Sequence, residues 1–72
     1  MRAGDRVTFP HTFKDGYVAT IKATVLTVVG GVATIACEHT VAEVDPAILT
    51  VAEAYPIGKK FDPWRFLATG ER

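Results

Sequence analysis

The alternation of apolar and polar residues near the start of the chain predicts a first β-strand. Val7 and Phe9 alternate with Arg6 and Thr8, which is the two-residue period of a strand with one buried face. Proline cannot donate to a sheet ladder, so Pro10 either ends this strand or lies at a sheet edge. We therefore expect Val7 and Phe9 to contribute to the core.

A longer apolar run over residues 17–29 predicts a second strand after a turn. Asp15 and Gly16 form the turn signal, because glycine accepts a positive φ without steric cost. β-branched residues dominate the run, and alternate positions separate a core face from a polar face. The predicted core face holds Tyr17, Ala19, Ile21, Ala23 and Val25.

This alternation breaks after Thr24, where Leu26 and Val28 fall on the face that had been polar. A strand in strict register would expose both side chains. We therefore expect a bulge or a sharp bend between residues 23 and 26, which re-aims the side chains so that one long strand serves both halves of a small barrel.

Two adjacent glycines, Gly30 and Gly31, predict the tight loop of a β-hairpin. The returning strand begins at residue 32. Pairing of opposite residues predicts Val29 across from Val32, Val28 across from Ala33, and Leu26 across from Ile35.

Residues 45–55 are compatible with two structures. In the first, Asp45 caps a helix that begins at Pro46 and carries an apolar stripe of Ile48, Val51, Ala52 and Tyr55. In the second, residues 46–48 form a single 3₁₀ turn and residues 49–54 a last short strand. Thr50 and Val51 favour the second structure.

The end of the chain repeats the Asp-Pro signal at Asp62 and Pro63. A carboxylate cap, a proline at the first helical position and Gly70 at the far end predict a short helix over residues 63–69. We therefore divide the chain into a small β-barrel, residues 1–56, and a tail, residues 57–72, whose helix packs on or near the barrel.

These elements resemble the SH3-like small-barrel architecture over about residues 4–53. The start, Gly4-Asp5-Arg6-Val7, is similar to that of the type II dihydrofolate reductases, but the Val-Gln-Ile-Tyr stretch of their active site is missing here. Barrels of translation and transcription factors also begin in a similar way, but their basic loops are absent from this chain. The predicted fold is mostly β: a small five-stranded SH3-like barrel with a long bent second strand, a 3₁₀ turn near Pro46 and a short C-terminal helix.

Composition narrows the class of protein. A chain of 72 residues with 49% hydrophobic and 22% charged residues suits one small ordered domain. Eight basic residues balance eight acidic ones, so any basic patch is local. Cys37 is the only cysteine and therefore forms no intramolecular disulfide, which fits a reducing compartment. We expect a cytoplasmic protein without a membrane segment.

Reactive residue types cluster at only one place, Cys37-Glu38-His39. On a strand Cys37 and His39 would share a face, but two ligands do not make a zinc site, and a lone cysteine is usually a small buried hydrophobe. The chain contains no serine, which excludes a serine nucleophile. We predict no enzymatic activity, no metal and no cofactor.

Basic and aromatic residues concentrate in the tail, at Lys59, Lys60, Phe61, Trp64, Arg65 and Phe66. These residues either cover the core as a lid or bind a partner, first a protein and second a nucleic acid, by cation–phosphate contacts and base stacking. The expected function is a non-enzymatic protein-interaction module. The brevity of the chain and its composition rich in Ala, Val and Arg suggest a bacterial or phage-encoded accessory or host-modulating protein. The alternatives are a nucleic-acid-binding barrel and an oligomeric enzyme with its site at a symmetric pore.

Overall fold

The computed structural model describes residues 1–72 and shows a mostly β fold, as predicted. Five antiparallel strands form one sheet in the order β4-β3-β2-β1-β5. The elements are β1 Arg6–Thr12, β2 Val18–Val29, β3 Val32–Ala36, β4 Val41–Val44, a 3₁₀ turn Pro46–Ile48, β5 Thr50–Glu53 and α1 Pro63–Thr69.

Strand β1 runs through Pro10 and ends at Thr12, so the edge interpretation of that proline is confirmed. The first part of β2 pairs with the whole length of β1, with Pro10 opposite Thr20. β5 pairs only with the start of β1, as far as Thr8. Pro10 therefore lies where β1 has a single neighbour, and its missing N–H leaves no gap in a ladder.

The loop between β1 and β2 is the predicted Asp-Gly turn. Gly16 has a φ of 86°, and the backbone N–H of Tyr17 donates to Oδ1 of Asp15 at 2.9 Å. Tyr17 itself corrects the prediction, because its side chain is 64% exposed rather than in the core. It precedes the first paired residue of β2 and stacks on Phe13 of the same loop, beyond the reach of the core.

The predicted bulge lies at Leu26. Val25 pairs with Ile35 and Thr27 pairs with Thr34, so Leu26 has no partner on β3 and turns its side chain into a buried position. The predicted pairing of Leu26 with Ile35 is therefore wrong by one residue. The two pairs nearer the Gly30-Gly31 loop, Val28 with Ala33 and Val29 with Val32, are confirmed.

One core cluster lies inside the curved sheet. It consists of Val7, Ala23, Val25, Ala33 and Ile35, contributed by the three central strands. Phe9, Cys37, Ala42, Val44 and Leu49 pack around it and are partly buried. The core is small, so each of these side chains matters to stability.

For residues 45–55 the structure has the 3₁₀ turn and the last strand, and the alternative helix is wrong. Asp45 caps the turn by accepting from the backbone N–H of Ala47 at 2.9 Å. Leu49 is already extended, with a ψ of 140°, and the chain continues into β5. Pairing of Val51 with Val7 gives this segment sheet hydrogen bonds that a helix would forgo.

Helix α1 covers the predicted residues 63–69. Asp62 accepts hydrogen bonds from the backbone N–H groups of Trp64 and Arg65, and Pro63 occupies the first turn. Gly70 ends the helix in the left-handed conformation, with a φ of 75°.

Candidate functional site

The tail divides its aromatic residues between two environments. Phe61 and Phe66 are half-buried and lie 5.7 Å apart by ring centroids, and Phe61 meets the buried ring of Tyr55 edge to face at 5.4 Å. Trp64 takes no part in this cluster, and its side chain is 79% exposed. Two of the six predicted site residues therefore pack towards Tyr55, and the only tryptophan faces solvent.

The four remaining residues of the predicted site are all exposed, two of them on α1 and two shortly before it. Lys59, Lys60 and Arg65 are exposed, and neither lysine forms an ion pair. Arg65 approaches Glu71 at 3.8 Å with both side chains mostly exposed, a geometry that contributes little to stability. The two lysines therefore have no ionic partner within the protein, and Arg65 has only a weak one.

Tyr55 is the anchor of this end of the molecule, and the Gly-Asp start of the chain is built around it. Gly4 has a φ of 93°, and a Cβ at this position would lie 2.6 Å from the Tyr55 ring. The buried carboxylate of Asp5 accepts from the backbone N–H of Tyr55 at 2.7 Å and from that of Arg2 at 3.0 Å. The Gly4-Asp5 pair thus has a structural role in this chain.

Arg72 closes the same end and was missed by the sequence reasoning. Its guanidinium donates to the carbonyl of Gly4 at 3.0 Å, pairs with Glu53 and lies 5.8 Å from the centre of the Tyr55 ring. Only 13% of its side chain is exposed. No pattern in the sequence marks it, because its partners are between 17 and 68 residues away along the chain.

A second exposed aromatic group lies at the end of β1 and in the β1–β2 loop, and it was also not predicted as a site. His11 meets Phe13 edge to face at 4.7 Å, and Phe13 stacks on Tyr17 at 6.1 Å. All three side chains are exposed. The alternation of residues along the second strand predicts Tyr17 in the core and so gives no sign of this group.

The Cys37-Glu38-His39 stretch forms a turn rather than a strand. β3 ends at Ala36, and the backbone N–H of Cys37 donates to the carbonyl of Thr40 at 2.8 Å. Cys37 is half-buried against the core, while Glu38 and His39 point into solvent. The protein has no group of three or more His, Cys, Asp or Glu side chains placed to hold a metal ion.

An open groove of about 1130 Å³ is lined by residues of several elements. They include Phe66, Leu67 and Gly70 at the C-terminal helix and residues 37–40 of this turn. Its floor is formed by the outward-facing side chains of β1 and β2. The groove and the exposed face of α1 are therefore adjacent surfaces that share the helix.

Comparison with protein-family models, with curated proteins and with solved structures finds no significant match to this chain. No helix of the protein is long and apolar enough to span a membrane.

Proposed function

We propose that this protein is a small non-enzymatic protein-interaction module that binds its partner through the outward face of α1. The exposure of Trp64 is the observation that carries this proposal. Tryptophan supplies more binding energy at protein interfaces than most residues do, and in a small domain each large apolar side chain is valuable to the core. A tryptophan held outside the core therefore points to a partner.

The neighbourhood of Trp64 extends this surface. Leu67 lies one helical turn further along, and 48% of its side chain is exposed. Arg65 follows Trp64 on α1, and Lys59 and Lys60 lie shortly before the helix, so exposed positive charge is close to the two apolar side chains along the chain. An apolar centre with a charged rim is the usual anatomy of a protein interface.

The surface is held in a fixed conformation before any partner binds. A helix of seven residues is unstable alone in water. Here Asp62 caps its first turn, and Phe66 packs on Phe61, which packs on Tyr55. The binding residues are therefore pre-organised, which lowers the entropy lost on association.

A nucleic-acid-binding barrel is the second candidate, because the same segment combines cations with rings. Two observations make it less favourable. Phe61 and Phe66 are turned towards Tyr55, which leaves Trp64 as the only ring of the tail free to stack on a base. Every charged residue from position 23 to position 58 is acidic, so this segment supplies no cation to bind phosphate.

We also infer that the fold is of the SH3-like small-barrel type. The strand order, the long second strand with its bulge at Leu26, and the 3₁₀ turn immediately before β5 support this inference. Such barrels serve many functions, so the assignment concerns architecture alone.

The test compares which proteins are captured by the wild-type chain, by Trp64→Ala and by Val29→Ala. Val29 is nearly as exposed as Trp64 but lies at the β2–β3 hairpin rather than in the tail, so its replacement controls for general surface hydrophobicity. We expect one partner to be retained by wild type and Val29→Ala and lost by Trp64→Ala. Capture that is insensitive to Trp64 would contradict the proposal.

Tryptophan fluorescence separates the two candidates, because Trp64 is the only tryptophan. Under the protein-partner proposal, single-stranded oligonucleotides leave its emission unchanged even at low salt. Salt-dependent quenching by oligonucleotides would instead support the nucleic-acid candidate.

A further inference from the structure

The floor of the groove is a set of polar side chains aligned across the strands. Thr24 pairs with Arg6 on one side and with Ala36 on the other, and Arg6 pairs with Glu53. Directly paired residues of neighbouring strands share a face of the sheet. The next outward pair along β1 and β2 is Thr8 with Lys22.

Thr24 carries a hydroxyl with no hydrogen-bond partner inside the protein, although only 8% of the residue is exposed. No side-chain polar atom of the protein is both fully enclosed and unpaired. The hydroxyl therefore retains a narrow contact with solvent, and the residue lines the groove. Because solvent reaches this hydroxyl and no protein group bonds to it, its hydrogen-bonding capacity is available to a ligand that enters the groove.

The two basic residues on the floor of the groove, Arg6 and Lys22, differ in whether they have an ionic partner. Arg6 pairs with Glu53 at 3.0 Å, and Glu53 also receives Arg72. Lys22 has no ionic partner. Lys22 therefore supplies the positive charge that a ligand could use. It lines the groove two residues from Thr24, on the same face of β2.

We propose that the groove binds an extended peptide segment of a partner protein that carries a carboxylate next to a bulky apolar residue. The carboxylate accepts hydrogen bonds from the ammonium of Lys22 and the hydroxyl of Thr24. The apolar residue packs against Phe66 and Leu67 on the helix wall. This inference rests on the proposed function, because it specifies the chemistry of the partner that the module recognises.

A peptide fits this groove better than a single-stranded nucleic acid does. Glu38 at the turn and Glu53 on β5 place two carboxylates at its borders, and a phosphate backbone passing between them would be repelled. A peptide needs only one carboxylate at Lys22 and presents amide donors elsewhere. The apolar wall of α1 further favours a ligand with alternating polar and apolar side chains.

The test is selection from a random-peptide library displayed on phage, with the full chain as the target. We expect the selected peptides to share an acidic residue beside a large apolar one. Their binding should shift the amide NMR signals of Thr8, Lys22, Thr24 and Thr40. Lys22→Ala should weaken binding by about tenfold, since a hydrogen bond to a charged group is lost.

Thr24→Val is the more discriminating variant because it removes the hydroxyl without changing the shape of the side chain. We expect binding to weaken by about threefold to tenfold. The midpoint of unfolding should stay the same or rise, because the protein itself makes no use of that hydroxyl. Thr27→Val and Lys14→Ala, which lie outside the groove, are matched controls that should bind as wild type does.

Three results would overturn the inference: no selected peptides, selected peptides without an acidic residue, or affinities unchanged by both groove variants. The inference would also be overturned, in favour of a nucleic-acid ligand, if single-stranded oligonucleotides displaced the selected peptides and bound less well to Lys22→Ala. A peptide that shifts only the Trp64 indole signal refutes the groove site but leaves the α1 surface intact. The proposed function fails on a different result, namely that Trp64→Ala captures the same partner as the wild-type chain does.

Discussion

The backbone N–H of Tyr55 donates a 2.7 Å hydrogen bond to the buried carboxylate of Asp5, 50 residues earlier in the chain. The second carboxylate oxygen accepts from the backbone N–H of Arg2 at 3.0 Å. The backbone carbonyl of Asp5 also accepts from Val25 of the core. One residue thereby joins the start of β1, the centre of β2 and the chain that leaves β5.

Replacement of Asp5 by alanine should lower the free energy of unfolding by about 2–3 kcal/mol. Two backbone N–H groups lose a charged acceptor, and that of Tyr55 is buried without a substitute. Urea unfolding followed by far-ultraviolet circular dichroism measures the change. Asp45→Ala is the control, since Asp45 is an exposed cap with one such bond and should cost about 0.5–1 kcal/mol. Equal losses in the two variants would show that burial of the Asp5 carboxylate is unimportant.

Gly4→Ala should destabilise the protein more than Gly16→Ala does. Both glycines have positive φ, 93° and 86°, so both substitutions carry about 1–2 kcal/mol of backbone strain. The new methyl group at position 4 also meets the Tyr55 ring at 2.6 Å, whereas position 16 has nothing within 4 Å. The difference between the two free energies of unfolding isolates the steric contact. This difference would vanish only if the Tyr55 ring could move away from the new methyl group without a loss of stability.

Local patterns in the sequence were sufficient for most of the fold. The bulge follows from Leu26 falling on the wrong face of β2, and the tight hairpin follows from Gly30-Gly31. Asp62 and Pro63 determine where α1 begins. In each case a steric or hydrogen-bonding rule acts within a few residues, and such rules can be read without knowledge of the rest of the chain.

The candidate site depends on contacts that the sequence does not encode locally. Composition identifies the basic-aromatic tail but gives Phe61 and Trp64 the same prediction, because only the position of Tyr55 decides which ring is covered. Arg72 and the groove around Thr24 arise from strand order and from chain segments far apart in sequence. The error at Tyr17 has a related cause, since periodicity does not reveal where the core ends.

The division of the tail into an inner and an outer side predicts opposite behaviour for two aromatic residues. Phe61→Ala should lower the free energy of unfolding by about 1.5–3 kcal/mol, because its ring packs between Tyr55 and Phe66. Trp64→Ala should change it by no more than about 0.5 kcal/mol, because the side chain is exposed and alanine favours a helix. Chemical denaturation of both variants decides the matter. A large loss for Trp64→Ala would mean that the tryptophan belongs to the lid.

Arg72 should contribute to stability where Arg65 does not. Arg72→Ala removes a hydrogen bond to the carbonyl of Gly4, an ion pair with Glu53 and a contact with the Tyr55 ring. We expect a loss of about 1–2 kcal/mol, which for a domain of this size lowers the thermal midpoint by about 4–8 °C per kcal/mol. Arg65→Ala is the matched control, because its ion pair with Glu71 is long and exposed and should leave the midpoint nearly unchanged. Raising the salt concentration should reduce the effect of Arg72 only partly, since that guanidinium is largely shielded from solvent. Identical midpoints for the two variants would show that Arg72 rests on the surface without holding the ends of the fold together.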